Sequence, residues 1–224
     1  MTFSIIGHCT ETGMFGVAIS SSSPAVAARC SFARAKVGAV ATQNVTDPRL
    51  GPRALDLMER GAEPAEALAI LKRTTAHMDF RQVLAVGPSG ESAIHSGTQV
   101  LGNWSEALGP HTAAAGNLLA TTDVPQAMVQ HFCTSQGHLG ARLLGALVAG
   151  RDAGGEAGPV HSAGLLVVDE HSWPLVELRI DWSEDCPIRA LETAWTIYAP
   201  QMTAYVTRAL DPGLAPSYGV PGDE

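Results

Sequence analysis

Short apolar runs arrive along this chain in pairs, and the amphipathic stretches between them also come in pairs. That order constrains the fold more than any other feature. The first 45 residues read as strands: Phe3 and Ile5, a turn at Thr10–Gly13, then Phe15–Ser21 in a hairpin pattern. Val37–Thr42 is a further run apolar enough to be buried on both faces. Two helical stretches follow, Arg53–Arg60 with Leu55 and Met58 on one face, and Pro64–Lys72 with Pro64 in its first turn. Gln82–Val86 and Ser92–His95 flank the Pro88-Ser89-Gly90 turn as a second hairpin, and Thr112–Leu118 reads as another strand. Helices return at Asp123–Cys133, with Asp123 as the expected cap, and at Leu139–Val148. A Gly-rich loop, Gly150–Pro159, precedes a last hairpin of Ser162–Val168 and Leu175–Ile180. Ile188, Leu191, Trp195 and Tyr198 then share one face of a final helix. Hairpin-linked strands with paired helices predict antiparallel sheets covered by helix layers, an α+β architecture rather than βαβ units.

A chain of 224 residues supports one core. We expect a single domain over 1–210 and an irregular Pro/Gly-rich tail over 211–224. Charged residues make up only 16% of the chain, below the usual ~25%. A small-residue core or surface hidden in an oligomer would each account for this. The long apolar run Ser162–Val168 favours the second, so a homodimer burying at least ~1,200 Å² is expected. The net charge of −8 and the absence of a Lys/Arg cluster argue against a nucleic-acid partner. No run of 18 apolar residues argues for a membrane span. The opening lacks the basic stretch and cleavage site of a signal peptide, so the cytoplasm is the expected location. Four scattered cysteines without a CxxC predict neither a disulfide framework nor a zinc site. His131, Cys133 and His138 lack zinc spacing, and His8 and Cys9, being adjacent, are expected on opposite faces of a strand. We therefore expect no metal and no cofactor.

The candidate site starts from Met1-Thr2-Phe3-Ser4. With Met1 removed, Thr2 carries both halves of a nucleophilic machine. Its hydroxyl attacks, and its α-amine, with a pKa near ~7.7–8.0, takes the proton. Ser4 lies two residues along the same strand. The Ser20-Ser21-Ser22-Ser23 run closes the second strand, and alternation sends Ser20 and Ser22 to one face as a candidate substrate-binding pair. Lys36 is a candidate for favouring an alkoxide and lowering the amine's pKa. Thr42, Gln43 and Asn44 form an unusually polar strand exit, and Asn44 and Asn117 are candidate oxyanion donors. Gly154–Gly158 lacks a phosphate loop's GK[ST] ending and reads as a mobile hairpin loop.

Taken together, the opening TFSI, the TG turn before GVAIS, VGAVATQN, Pro48 with Gly51 and Pro52, Arg81-Gln82, Gly116-Asn117, HSAGLLVV and ELRID form an ordered set. The chain resembles, from Thr2 to about Tyr198, domain-of-unknown-function family 1028, which is placed in the N-terminal-nucleophile hydrolase superfamily. The resemblance implies a four-layer αββα sandwich of two antiparallel sheets and, by superfamily analogy, amide-bond hydrolysis by an N-terminal Thr, Ser or Cys. The chain departs from the pattern where Ser-Ser-Pro stands in place of an expected Ser-Lys pair. It departs again where Glu156 and His161 occupy the Gly loop before the last hairpin.

The expectation is an amidohydrolase acting on a small metabolite or peptide, with Thr2 as nucleophile; the rival is a non-catalytic small-molecule-binding protein on the same scaffold. Two structural expectations follow. Val37–Thr42 and Ser162–Val168 should be interior strands, and at least three of the polar strand ends should meet in one crevice around Thr2.

Overall fold

The computed structural model describes residues 1–223. Its strands are β1 (Thr2–His8), β2 (Phe15–Ser21), β3 (Ser31–Arg34), β4 (Gly38–Asn44), β5 (Arg81–Val86), β6 (Ser92–Ser96), β7 (Ser105–Gly109), β8 (Thr112–Asn117), β9 (Ser162–Val168) and β10 (Val176–Ile180). Its helices are α1 (Val26–Cys30), α2 (Leu50–Glu59), α3 (Pro64–Thr74), α4 (Val124–Thr134), α5 (Leu139–Asp152), α6 (Pro187–Tyr198) and α7 (Met202–Leu210). The strands form a six-stranded sheet in the order β10-β9-β2-β1-β8-β7 and a four-stranded sheet in the order β3-β4-β5-β6. Each pairing is antiparallel.

Alternation along the strands builds the layers. In β1, Phe3 and Ile5 point to α4 and α5, where they join Met128, Phe132, Leu143 and Leu147 in one buried cluster. Ile6, with Phe15 and Val17 of β2, points the other way and meets Ala39, Ala41, Leu84 and Val86 between the sheets. Val40 and Val83 on the outer face of the second sheet pack on Leu50, Leu55 and Leu71 of α2 and α3. The result is the expected four-layer αββα sandwich. Both β4 and β9 are interior strands, buried along nearly their whole length.

Small residues set the closeness of the layers. A Cβ on Gly7 would come 2.7 Å from the Phe132 ring, and one on Gly16 would come 2.6 Å from Leu143 Cδ1. The helices therefore lie directly on the backbone of β1 and β2.

Some boundaries and elements differ from the sequence reading. Helix α2 begins at Leu50 because Pro52 is tolerated within a first turn. Asp123 precedes α4 but its side chain makes no cap bond, and the N-cap of α5 is instead His138, whose Nδ1 accepts from Gly140 N at 3.0 Å. Helix α5 runs on to Asp152, so the Gly-rich loop starts three residues later than expected. Four elements, α1, β3, β7 and α7, are additional. Among the described residues, no helix is long and apolar enough to cross a membrane.

Candidate functional site

Strand β1 lies in the interior of its sheet, so the residues at its start are flanked on both sides. Thr2 pairs with Asn117 of β8, and Phe3 pairs with Ser20 of β2. Directly paired residues lie ~4.5–5.5 Å apart at Cα, so Thr2 and Asn117 share one small pocket. Thr2 is 5% exposed, and its hydroxyl lies 3.2 Å from Ser21 Oγ. Both hydroxyls donate to the Met1 carbonyl oxygen, and Ser23 N donates to Ser21 Oγ at 3.1 Å.

The neighbouring polar groups form one buried network across the sandwich. Ser4 Oγ donates to Gln43 Oε1 at 2.6 Å. Gln43 Nε2 donates to Gln82 Oε1 at 2.7 Å and to the Ala115 carbonyl at 3.0 Å. Gln82 Nε2 donates to Ser96 Oγ at 3.0 Å, and Asn117 Nδ2 donates to Gln82 Oε1 at 3.3 Å. Asn117 Oδ1 is buried without a partner. A buried amide oxygen costs free energy unless something donates to it, so this atom marks where a donor fits.

All four polar strand ends therefore converge, each through particular residues: Thr2 and Ser4, Ser21, Gln43, and Asn117. The side chains of the other candidates do not join this network. Ser20 is on the opposite face of β2 from Ser21, where its hydroxyl donates to the Ser162 carbonyl at 3.0 Å. Ser22 contributes its backbone N–H, which donates to Glu156 at 3.1 Å. Thr42 faces away from Gln43, and its carbonyl accepts from the Thr46 hydroxyl at 2.9 Å. Asn44 is occupied with a loop, donating to the Phe80 carbonyl at 2.7 Å and accepting from Leu101 N at 3.3 Å. Lys36 sits in the β3–β4 turn beside Val168, the residue that pairs with Phe15 at the far end of the sheet. Seven residues of strand, roughly 20 Å, separate that end from Thr2.

Glu156 completes the site. The Gly-rich loop carries it back along Leu119, with which it forms an isolated bridge, and leaves it 6% exposed. Burial pushes its carboxyl up to about 7, against the opposing charge of the N-terminal amine and hydrogen bonding from Ser22. It lines a cavity of about 300 Å³ together with Phe3, Arg151, Gly158 and Cys186. The Met1 side chain lies against Gly158, so this cavity adjoins the Thr2 end of β1. The sequence carried one hint of Glu156, a lone carboxylate among glycines.

A two-sheet antiparallel α+β sandwich with a polar crevice at the start of its interior strand is the class that these observations define. The chain belongs to the family of unknown function DUF1028, whose model matches residues 2–191. It is similar to the crystal structure of a member of that family from Silicibacter pomeroyi, with 29% identity, a TM-score of 0.82, and 88% of this chain and 89% of that one covered. The ancestral beta-subunit Anbu from Yersinia bercovieri also matches, at 12% identity and a TM-score of 0.41, over 91% of this chain and 97% of that one. No curated protein matches.

Proposed function

We propose that this protein is an amide hydrolase of the N-terminal-nucleophile type, active once the Met1–Thr2 bond is cleaved. The observation that carries the reading is the position of Thr2. It is a buried hydroxyl at the start of an interior strand, 3.2 Å from a second hydroxyl, with polar groups from both sheets converging on it. The sequence resemblance points the same way.

In this reading the freed α-amine takes the proton from Thr2 Oγ1 as the oxygen attacks a substrate carbonyl carbon. Asn117 Oδ1, now without a donor, accepts from that amine and holds its lone pair toward the hydroxyl. The Ser21 hydroxyl donates to the developing oxyanion, as it now donates to the Met1 carbonyl. The C–N bond breaks, the leaving amine carries away the proton, and the acyl group stays on Thr2 until water attacks it. Glu156 borders the cavity where the acyl or amine portion would lie, and a carboxyl near neutrality suits proton transfer there. The cavity's size fits a small metabolite or the end of a peptide.

One observation favours a binding role instead. While the Met1–Thr2 bond is intact, the Thr2 nitrogen is an amide and the Met1 carbonyl occupies both hydroxyls. In that form the crevice serves only as a binding pocket. Intact-mass spectrometry separates the two forms, and Thr2→Ala in the cleaved form is expected to abolish turnover of acyl-anilides while leaving the fold unchanged. Retention of Met1 in every preparation favours the binding role.

A further inference from the structure

The opposite end of β1 carries a second polar cavity, of about 450 Å³. His8 and Cys9 enter it from the end of the strand, His111 from the β7–β8 turn, and Arg142 from α5. Ser135 and Gln136 close it from the α4–α5 connection. Cys9 lies beyond the last strand residue, so alternation no longer separates it from His8, and both line the same space.

Three polar groups here lack partners. His8 is 8% exposed and keeps Nδ1 without a hydrogen-bond partner while its ring stacks on Phe15 at 4.4 Å. Arg142 Nε is likewise buried and unpartnered, and His111 Nδ1, also unpartnered, lies against Gly90. Arg142 is held by its Nη2, which donates to the Phe132 carbonyl at 3.1 Å, and its guanidinium lies 4.2 Å from the Phe132 ring centre. Among the described residues no carboxylate pairs with it. The one carboxylate lining the cavity is the exposed Glu11. Against the chain's net charge of −8, this cavity sets a guanidinium with no ion-pair partner and two imidazoles beside one exposed carboxylate.

We propose that this cavity is a second ligand site, which takes the oxyanion group, phosphate-like or carboxylate, of a small metabolite. Arg142 supplies the permanent charge, and His8 and His111 supply donors that strengthen when protonated. The site is independent of the chemistry at Thr2. The charged and titratable groups facing His8 are His111, Arg142, Cys9 and Glu11. Burial first, and the charge of His111 second, hold His8 below its ordinary value. A bound dianion opposes that lowering, so by linkage it binds more tightly as His8 protonates.

Sulfate is the probe, because its charge is constant from pH 5.5 to 8; acetate is the second arm. Histidine Cε1–H resonances and titration calorimetry on the whole protein are the readouts. We expect sulfate to shift the His8 and His111 resonances selectively and to raise the His8 pKa by about one pH unit. That rise corresponds to binding that tightens several-fold from pH 8 to pH 5.5 and at most about tenfold, the limit reached once free His8 is fully protonated. Preference for sulfate identifies a phosphate-like ligand; preference for acetate identifies a carboxylate. Arg142→Lys should weaken binding and Arg142→Gln should remove it. Because Arg142 also braces Phe132, the wild-type titration stands as a test without either variant. Unmoved His8 and His111 resonances at tens of millimolar of both anions, or equal shifts in all eight histidines, would overturn the proposal.

Discussion

Ser4 of the six-stranded sheet and Gln43 of the four-stranded sheet are joined across the sandwich by a 2.6 Å hydrogen bond, from the serine hydroxyl to the glutamine carbonyl oxygen. Both residues are fully buried, and Gln43 in turn donates to Gln82 and to the Ala115 carbonyl. The contact fixes the two sheets relative to each other where the polar strand ends meet. Gln43→Leu keeps the volume but leaves the Ser4 hydroxyl without its acceptor and takes a donor from the Gln82 side chain. We expect a loss of about 2–3 kcal/mol in denaturant unfolding, and a smaller loss for Ser4→Ala, which removes a donor and leaves one acceptor short.

Packing at the other face of β1 gives a second expectation. Gly7→Ala forces a methyl group into the Phe132 ring at 2.7 Å. Overpacking of this kind costs ~1–3 kcal/mol. The readout is the thermal midpoint, which should fall, with the shape of the transition unchanged.

Glu156 gives the pH dependence. Its folded-state value of about 7 lies above the ordinary 4.5, so the folded protein holds a proton that the unfolded chain has released. The stability this confers is complete below pH 4.5 and is lost as the pH rises to about 7, amounting to roughly 3 kcal/mol. Glu156→Gln removes the dependence. Across pH 5 to 8, wild-type stability should fall relative to that of the variant, as measured by urea unfolding at each pH.

Much of this fold was legible in the sequence because its signals are local. The buried runs at β4 and β9 and the Gly-bearing hairpins define the sheets, and Pro64 and Pro125 mark helix starts. What escaped was short or lay at an edge. Helix α1 has five residues, too few for a period, and begins after Ala25 at φ 52°. Strand β7 is an edge on which Leu108 is 59% exposed, so its pattern contradicts its burial. For the site, alternation was known but not its phase, and the phase decides that Ser21 rather than Ser20 accompanies Thr2. Lys36 and Asn44 flank a single strand and so lie at opposite ends of it, a constraint the sequence already contained. The burial of Glu156 depends on its loop folding back on Leu119, a contact 37 positions away in sequence that no local pattern encodes.

That Thr2 is a nucleophile once its amine is free can be read from reaction with a β-lactone electrophile. The protein is treated both with the Met1–Thr2 bond intact and with it cleaved, and the adduct is located by peptide mass spectrometry. We expect one adduct per cleaved chain, mapping to Thr2, none on the uncleaved chain, and none on a cleaved Thr2→Ala chain. A cleaved, folded protein that leaves Thr2 unmodified, or that reacts equally well with Met1 in place, would contradict it.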